Sequence, residues 1–311
     1  MNRLIVIVGP TAVGKSKLAF QLAQRLNCEV ISGDSMCVYR GFDIGTAKPS
    51  VEERMLIPHH LIDIRDSVEQ FSVVEFQRMA AEAIHEVNQK GKLPILVGGT
   101  GLYIQALLEG FQFSATPKTG LRDDLAGPDA SFSDQELHQR LQLVDPVSAV
   151  RIHPNDRKRI IRALEVAMTE NLPISQTKQS THTELLFDCL VIGLNMDRQT
   201  LYNRIDSRVD QMIDSGWINE TSALIENGIA PESAALQAIG YKELAAFLKG
   251  MTSLDDAVLQ IKRGSRRYAK RQLTWFRRMP YIQWIETGSD ISGEQILETV
   301  TTLVAERFTI K

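Results

Sequence analysis

Eight consecutive residues, Gly9, Pro10, Thr11, Ala12, Val13, Gly14, Lys15 and Ser16, carry the spacing GxxxxGK[ST]. Their chemistry is the cradling of phosphate. Glycines let the backbone wrap an anion, and the loop amides point at it from the N-terminus of the following helix. Lys15 adds a point charge, and Ser16 is placed to ligate Mg²⁺. The flanks suit the motif: the apolar run 4–8 precedes it, and a helical pattern follows it.

Asp34 follows a second short apolar run, "CEVIS". A carboxylate at the carboxyl end of a strand faces the same crevice as the phosphate loop. It could hold Mg²⁺ or accept a proton; a turn or helix-cap role fits its spacing equally well. A third run, "PILVGGT", ends in Gly98, Gly99 and Thr100, with no acid. P-loop hydrolases commonly place an Mg²⁺-binding Asp there, so the ATPase reading weakens, although Asp34 could stand in. The glycines allow close backbone approach, and Thr100 offers a hydroxyl to an anion. Arg204 and Arg208 lie four apart on one helix face, near Asp206 and Asp210, which could pair with them.

The segment 262–278, "KRGSRRYAKRQLTWFRR", holds eight Lys and Arg and no acid; the whole chain nets only −3. Lys262-Arg263, Arg266-Arg267 and Lys270-Arg271 recur every four residues, which predicts one broad basic stripe on a helix. Tyr268, Trp275 and Phe276 are interleaved. Cations plus stacking surfaces suit nucleic acid. A second basic cluster contains Arg157, Lys158, Arg159 and Arg162.

The elements that must position these groups follow from periodicity. Apolar runs alternate with helical patterns at 15–26 and 72–90, which predicts an α/β fold with a mostly parallel sheet. After about residue 113 turn formers dominate, then helical segments near 133–143, 146–152 and 155–170. A strand returns at "LFDCLVIGLN"; 198–278 is nearly all helical, "YIQWIE" is a last short strand and 292–308 a last helix. The expected organisation is a core of 1–113 and 186–311 interrupted by a helical insertion at 114–185.

Composition narrows the classes. No stretch approaches the roughly 18 apolar residues of a membrane span, and the N-terminal run reads as a buried strand rather than a signal peptide. Cys28, Cys37 and Cys189 are far apart, without CxxC spacing, as expected of a reducing cytoplasm. Adjacent His59 and His60 read as turn or surface residues rather than metal ligands.

Six segments in order, "GPTAVGKS", "DSMCVYRGFDIGTAKP", "LVGGTGLY", "RIHPNDRKRIIRALE", "LQAIGYKEL" and "KRQLTWFR", give the chain a resemblance to the bacterial tRNA dimethylallyltransferases (isopentenyltransferases) over nearly its whole length. The resemblance implies a P-loop core like that of nucleotide kinases, with a helical insertion, gripping a tRNA anticodon stem-loop between them. It implies transfer of a dimethylallyl group from dimethylallyl diphosphate to N6 of a flipped adenine 3′ of the anticodon, in tRNAs reading codons that begin with U. Asp34 would be the base. Lys15, Ser16 with Mg²⁺, the residues 9–16, Thr100 and Arg208 would stabilise the leaving diphosphate.

By motif match the RNA-facing positions are Asp34, Ser35, Met36, Cys37, Thr100 and Arg122; then Lys158, Arg159, Ile160, Ile161 and Arg162; then Gln237, Ala238, Ile239, Gly240, Tyr241 and Lys242; and Lys270, Arg271, Gln272, Trp275 and Arg277. Cys37 stands where many members carry Gln, and a thiol lacks the amide pair that reads a base edge. Nothing requires more than a monomer. The competing readings are a P-loop small-molecule kinase, which leaves the basic helix without a role, and a non-catalytic RNA-binding protein switched by nucleotide.

Overall fold

The structure, a computed structural model, describes residues 1–113, 125, 132–170, 173–176, 184–230, 233–288 and 291–308. In chain order the elements begin β1 (Arg3–Val8), α1 (Lys15–Leu26), β2 (Glu29–Ser32), α2 (Val51–Leu56), β3 (His59–His60), α3 (Val73–Gln89), β4 (Pro94–Gly98) and α4 (Gly101–Glu109). Then come α5 (Asp134–Val144), α6 (Pro146–Arg151), α7 (Arg157–Glu170), β5 (Asp188–Met196) and α8 (Arg198–Asp214). The chain continues with α9 (Trp217–Glu226), α10 (Tyr241–Leu248), α11 (Leu254–Phe276), β6 (Gln283–Thr287) and α12 (Gly293–Arg307).

The described strands form one parallel sheet in the order β3-β2-β4-β1-β5-β6. The unbroken apolar run of β1 makes sense at its centre. Leu4, Val6 and Val8 enter one core and Ile5 and Ile7 the other, because alternate residues of a strand face opposite sides. All the strand ends that matter for chemistry, Val8, Ser32 and Gly98, lie along one edge, held by the pairings Val8↔Gly98 and Ser32↔Val97. Ser72 and Glu75 fix the start of α3 with a capping box.

The chain divides into two compact units, Met1–Leu108 with Glu184–Lys311, and Glu109–Thr183. The second unit packs Leu137, Leu141, Ile160, Ile161 and Leu164 into a core of its own. Its buried Asp145 accepts hydrogen bonds from the amides and hydroxyls of Ser148 and Ser175. Burial would raise that carboxyl; the four bonds hold it at about 2.

The histidine pair departs from expectation. His59 and His60 form the edge strand β3, pairing with Val30 and Ile31. Two residues are too short for any alternation to register in sequence, and the partner that fixes them is distant. His60 Nε2 meets the Glu29 carboxylate at 2.9 Å, and Lys90 and Lys92 donate to the same group. Glu29 is only 2% exposed. Burial alone would raise its carboxyl, but these partners hold it at about 2.

The stabilisation from Glu29 is therefore complete above the ordinary carboxylate range and disappears as pH falls towards 2. Glu29→Ala leaves two lysines and a histidine without their acceptor and costs about 3 kcal/mol at neutral pH. Urea midpoints of wild type and variant should differ at pH 7 and converge in acid.

Candidate active site at the strand ends

The phosphate loop leaves β1 and enters α1 through Gly14, an N-cap with no side-chain cap. The first amides of the helix are thus left for an external anion. Ala12 sits at φ 65°, a conformation that costs a non-glycine residue energy and recurs at binding loops. Lys15 Nζ donates to the Pro10 carbonyl at 2.7 Å. Burial first, then the charge of Arg208, push its pKa down to about 7, with Asp34 pulling the other way.

Asp34 has a divided role. Its Oδ1 accepts from the Met36 amide at 2.8 Å, so the turn role is real. Its other oxygen has no hydrogen-bond partner among the described residues, and the side chain lines two adjoining cavities, of about 170 and 330 Å³. The first cavity is walled by Lys15, Ser16, Phe20, Val30, Cys37 and Ile62, the second by Met36, Trp217, Gln237, Ile239 and Arg271. Thr11, Asp34, Thr46, Arg208 and Tyr268 border both.

The glycine-ended strand has a different cause from the one its sequence suggests. A Cβ on Gly98 would lie 2.3 Å from the Gly33 carbonyl oxygen, and one on Gly99 would lie 2.1 Å from Gln272 Nε2. The close approach is made by the protein itself. Likewise the Thr100 hydroxyl is engaged, accepting from the Ser35 amide at 3.2 Å and donating to the Ser35 hydroxyl at 3.4 Å.

Arg208 borders both cavities with no carboxylate within ion-pair distance among the described residues; burial lowers its pKa and Asp34 partly offsets that. Its expected neighbours are used elsewhere. Asp206 pairs with Arg266 at 2.5 Å and Asp210 with Lys262 at 2.6 Å, strapping α11 to α8. The basic helix is therefore not one broad stripe. Lys262 and Arg266 are half-buried and paired, while Arg263, Arg267, Lys270 and Arg271 are exposed, as are Arg277 and Arg278 just past the helix end.

Other expected RNA-facing residues are also turned inward. Gln272 is 5% exposed; its Oε1 accepts from the Thr11 amide at 2.8 Å and its Nε2 donates to the Gly99 carbonyl at 3.0 Å. It is a strut between α11, the phosphate loop and the end of β4. Tyr241 is buried with its hydroxyl donating to Glu220, and Ile160 and Ile161 are core residues of the second unit. Trp275 is half-buried and packs against the core that includes Phe276; its Nε1 is buried without a hydrogen-bond partner among the described residues. Arg162 bonds Glu165, whereas Lys158 and Arg159 are exposed. Gly240 is buried, while Ala238 and Ile239 are half-buried and line the second cavity; Lys242 is exposed beside Glu243. Arg122 lies outside the described residues.

Two site residues, Glu220 and Lys48, escaped the sequence reading, and Tyr268, expected as a stacking surface, has a different place. Tyr268 stands at the junction of the cavities with its hydroxyl towards Thr100 and Gln272; burial pushes that hydroxyl up to about 12, so it stays protonated. Its spacing of four from Gln272 was the available signal, since both must share a face. Glu220 accepts from the amides of Asp43, Ile44 and Gly45, and Lys48 donates to the Tyr39 carbonyl, Asp43 and Asp63. Together they give "DIGTAKP" its meaning: it is a tied loop that presents Thr46 to both cavities. Cys37 is 7% exposed, and burial first, then Asp34, raise its thiol, so it is an inert wall residue.

Known proteins resemble this chain along nearly its full length. A tRNA dimethylallyltransferase of Geobacillus kaustophilus is 51% identical, over 92% of this chain and 90% of its own length. One from Anoxybacillus flavithermus is 47% identical over 99% and 97%. The crystal structure of a full-length tRNA isopentenylpyrophosphate transferase from Bacillus halodurans superposes with a TM-score of 0.74 at 44% identity, covering 99% of this chain and 97% of that one. A eukaryotic dimethylallyltransferase acting on tRNA superposes at 0.82 with 32% identity, over 99% and 80%. The model of the IPP transferase family matches residues 37–279. On a match of that extent, and on relatives this similar along nearly the full chain, the protein belongs to the IPP transferase family.

Proposed function

We propose that the chain transfers a dimethylallyl group from dimethylallyl diphosphate to N6 of the adenine 3′ of the anticodon in tRNA. The observation that carries this is one carboxylate at the meeting of two cavities. The first reaches the phosphate loop, and the second is bordered by Arg271 of the basic helix. The donor takes the first and the flipped base the second.

Adenine N6 is a weak nucleophile because its lone pair is delocalised into the ring. As that lone pair forms the bond to C1 of the donor, the C1–O bond breaks and its electron pair leaves with the diphosphate. The N6 proton passes to the free oxygen of Asp34, whose other oxygen is held by the Met36 amide. Arg208, Lys15 and the open amides of α1 meet the charge that grows on the leaving group. Unstacking the base costs a few kcal/mol, and the exposed cations of α11 supply compensating phosphate contacts.

Ser16 suits Mg²⁺: its hydroxyl is exposed, unpaired among the described residues, and borders the donor cavity. Among those residues no cluster of three or more acids, His or Cys gathers, so the ion would arrive with the diphosphate and neutralise it. No helix among them is long and apolar enough to cross a membrane. We place the activity in a cytoplasmic monomer, one chain lining both cavities.

Purified protein with labelled dimethylallyl diphosphate and unmodified tRNA should give prenylated RNA. ATP turnover without prenyl transfer would return the kinase reading. Changing Lys270 and Arg271 together to Ala should weaken tRNA binding about tenfold and flatten the logarithmic salt slope by about 1–2. An unchanged slope would make that face a merely solvated one.

A further inference from the structure

The donor-side cavity is polar at its rim, and deeper down apolar side chains line it together with His59. Register sets the levels. Ser32 pairs with Val97 just below the rim glycines, whereas Val30 pairs with Ile95 on one side and His59 on the other. Val30 thus lies three positions below Gly98, roughly 10 Å along the sheet. The facing helix repeats the gradient: Ser16 stands at the top of α1, and Ala19 and Phe20 come one turn, about 5.4 Å, deeper. Lys15, Ser16, Asp34 and Arg208 occupy the upper level, and Ala19, Phe20 and Val30, with His59 beside Val30, line the lower.

A diphosphate at the loop therefore projects its hydrocarbon down between α1 and β2. On the α1 side Phe20 stands about one helical turn below Ser16, the reach of one isoprene unit. Phe20 is anchored for the task, because it packs against the core that holds Leu18, Leu22 and Val30 while still bordering the cavity.

We propose that Phe20, backed by Val30, is the length stop of the donor site, which admits a five-carbon prenyl diphosphate and refuses the ten-carbon homologue. The inference rests on the prenyl-transfer reading above and assigns its donor specificity to named side chains. Phe20 takes no part in the bond changes. Its effect is steric, since filling or emptying the base of the cavity leaves the rim groups in place.

The test is competition between dimethylallyl and geranyl diphosphates for transfer to an anticodon stem-loop RNA, with products separated by mass spectrometry. Wild type should prefer the shorter donor by more than about a hundredfold, given what one misfitted methylene alone can cost. Phe20→Ala should raise kcat/KM for geranyl diphosphate at least about tenfold and lower it for the dimethylallyl donor, with Phe20→Leu in between. Inhibition by inorganic diphosphate should be the same in all three, which a collapsed site would not allow.

A selectivity ratio unchanged in both variants, with diphosphate inhibition intact, overturns the length stop and leaves the transfer reading standing. Wild type using both donors equally overturns it too. Wild type transferring neither donor overturns the functional reading and this inference with it.

Discussion

Asp34→Asn lowers the turnover of prenyl transfer by about 10²–10⁴-fold, the usual contribution of a positioned general base. Affinity for tRNA and for inorganic diphosphate stays within a few-fold of wild type. The choice of Asn follows from the geometry. Asp34 Oδ1 accepts from the Met36 amide, and an Asn side-chain oxygen can keep that bond and the turn. What Asn lacks is an oxygen able to take a proton. Asp34→Ala removes the turn contact as well, so it should lose about 1 kcal/mol of stability in addition. Rapid-quench turnover beside equilibrium RNA binding separates the two effects. Near-normal turnover in the Asn variant would strip Asp34 of the base role.

Arg208→Met should weaken diphosphate binding by about 2–5 kcal/mol, the cost of deleting one member of a desolvated charge pair. The ligand-free protein should not lose stability. Arg208 has no carboxylate within ion-pair distance among the described residues, and its charge is one of the forces holding Lys15 down. Removing it relieves repulsion instead of breaking a bridge. Calorimetric titration with diphosphate and a thermal melt without it check the two halves. A loss below about fivefold, or a lowered melting midpoint, would make Arg208 structural and not a holder of the donor.

The parts of this site that could be read from sequence are the local ones. The phosphate loop is eight consecutive residues, and its flanking strand and helix start where their apolar patterns start. The boundaries of α1 and α3 are equally plain, since the helical patterns at 15–26 and 72–90 end within a residue of the helices themselves. Contiguous motifs on helices misled. A run such as 158–162 or 270–277 turns through more than a full circle, so it cannot all face one ligand. Hence Ile160, Ile161 and Gln272 point inward while Lys158 and Lys270 point out. Partners across long separations were also illegible. Asp206 and Asp210 look like partners for Arg204 and Arg208, yet the packing of α11 against α8 gives them to Arg266 and Lys262. The glycines ending β4 announce close approach but not what approaches: Gly33 at Gly98, and at Gly99 Gln272, which lies more than 170 residues further on.

The lowered pKa of Lys15 gives the site a second proton cycle beside the one at Asp34. At about 7, the ammonium is only half populated in neutral solution when the cradle is empty. A bound diphosphate favours its charged form, so capturing the donor draws a proton from solvent, and releasing diphosphate after transfer hands it back. Donor affinity should accordingly be level below pH 7 and decline above it, by up to tenfold per pH unit. Heats of diphosphate binding at pH 8, measured in buffers of different ionisation enthalpy, should reveal close to one proton taken up per molecule bound. An empty cradle that sheds charge repels itself less and releases its spent anion more readily, so the same lysine serves both capture and turnover.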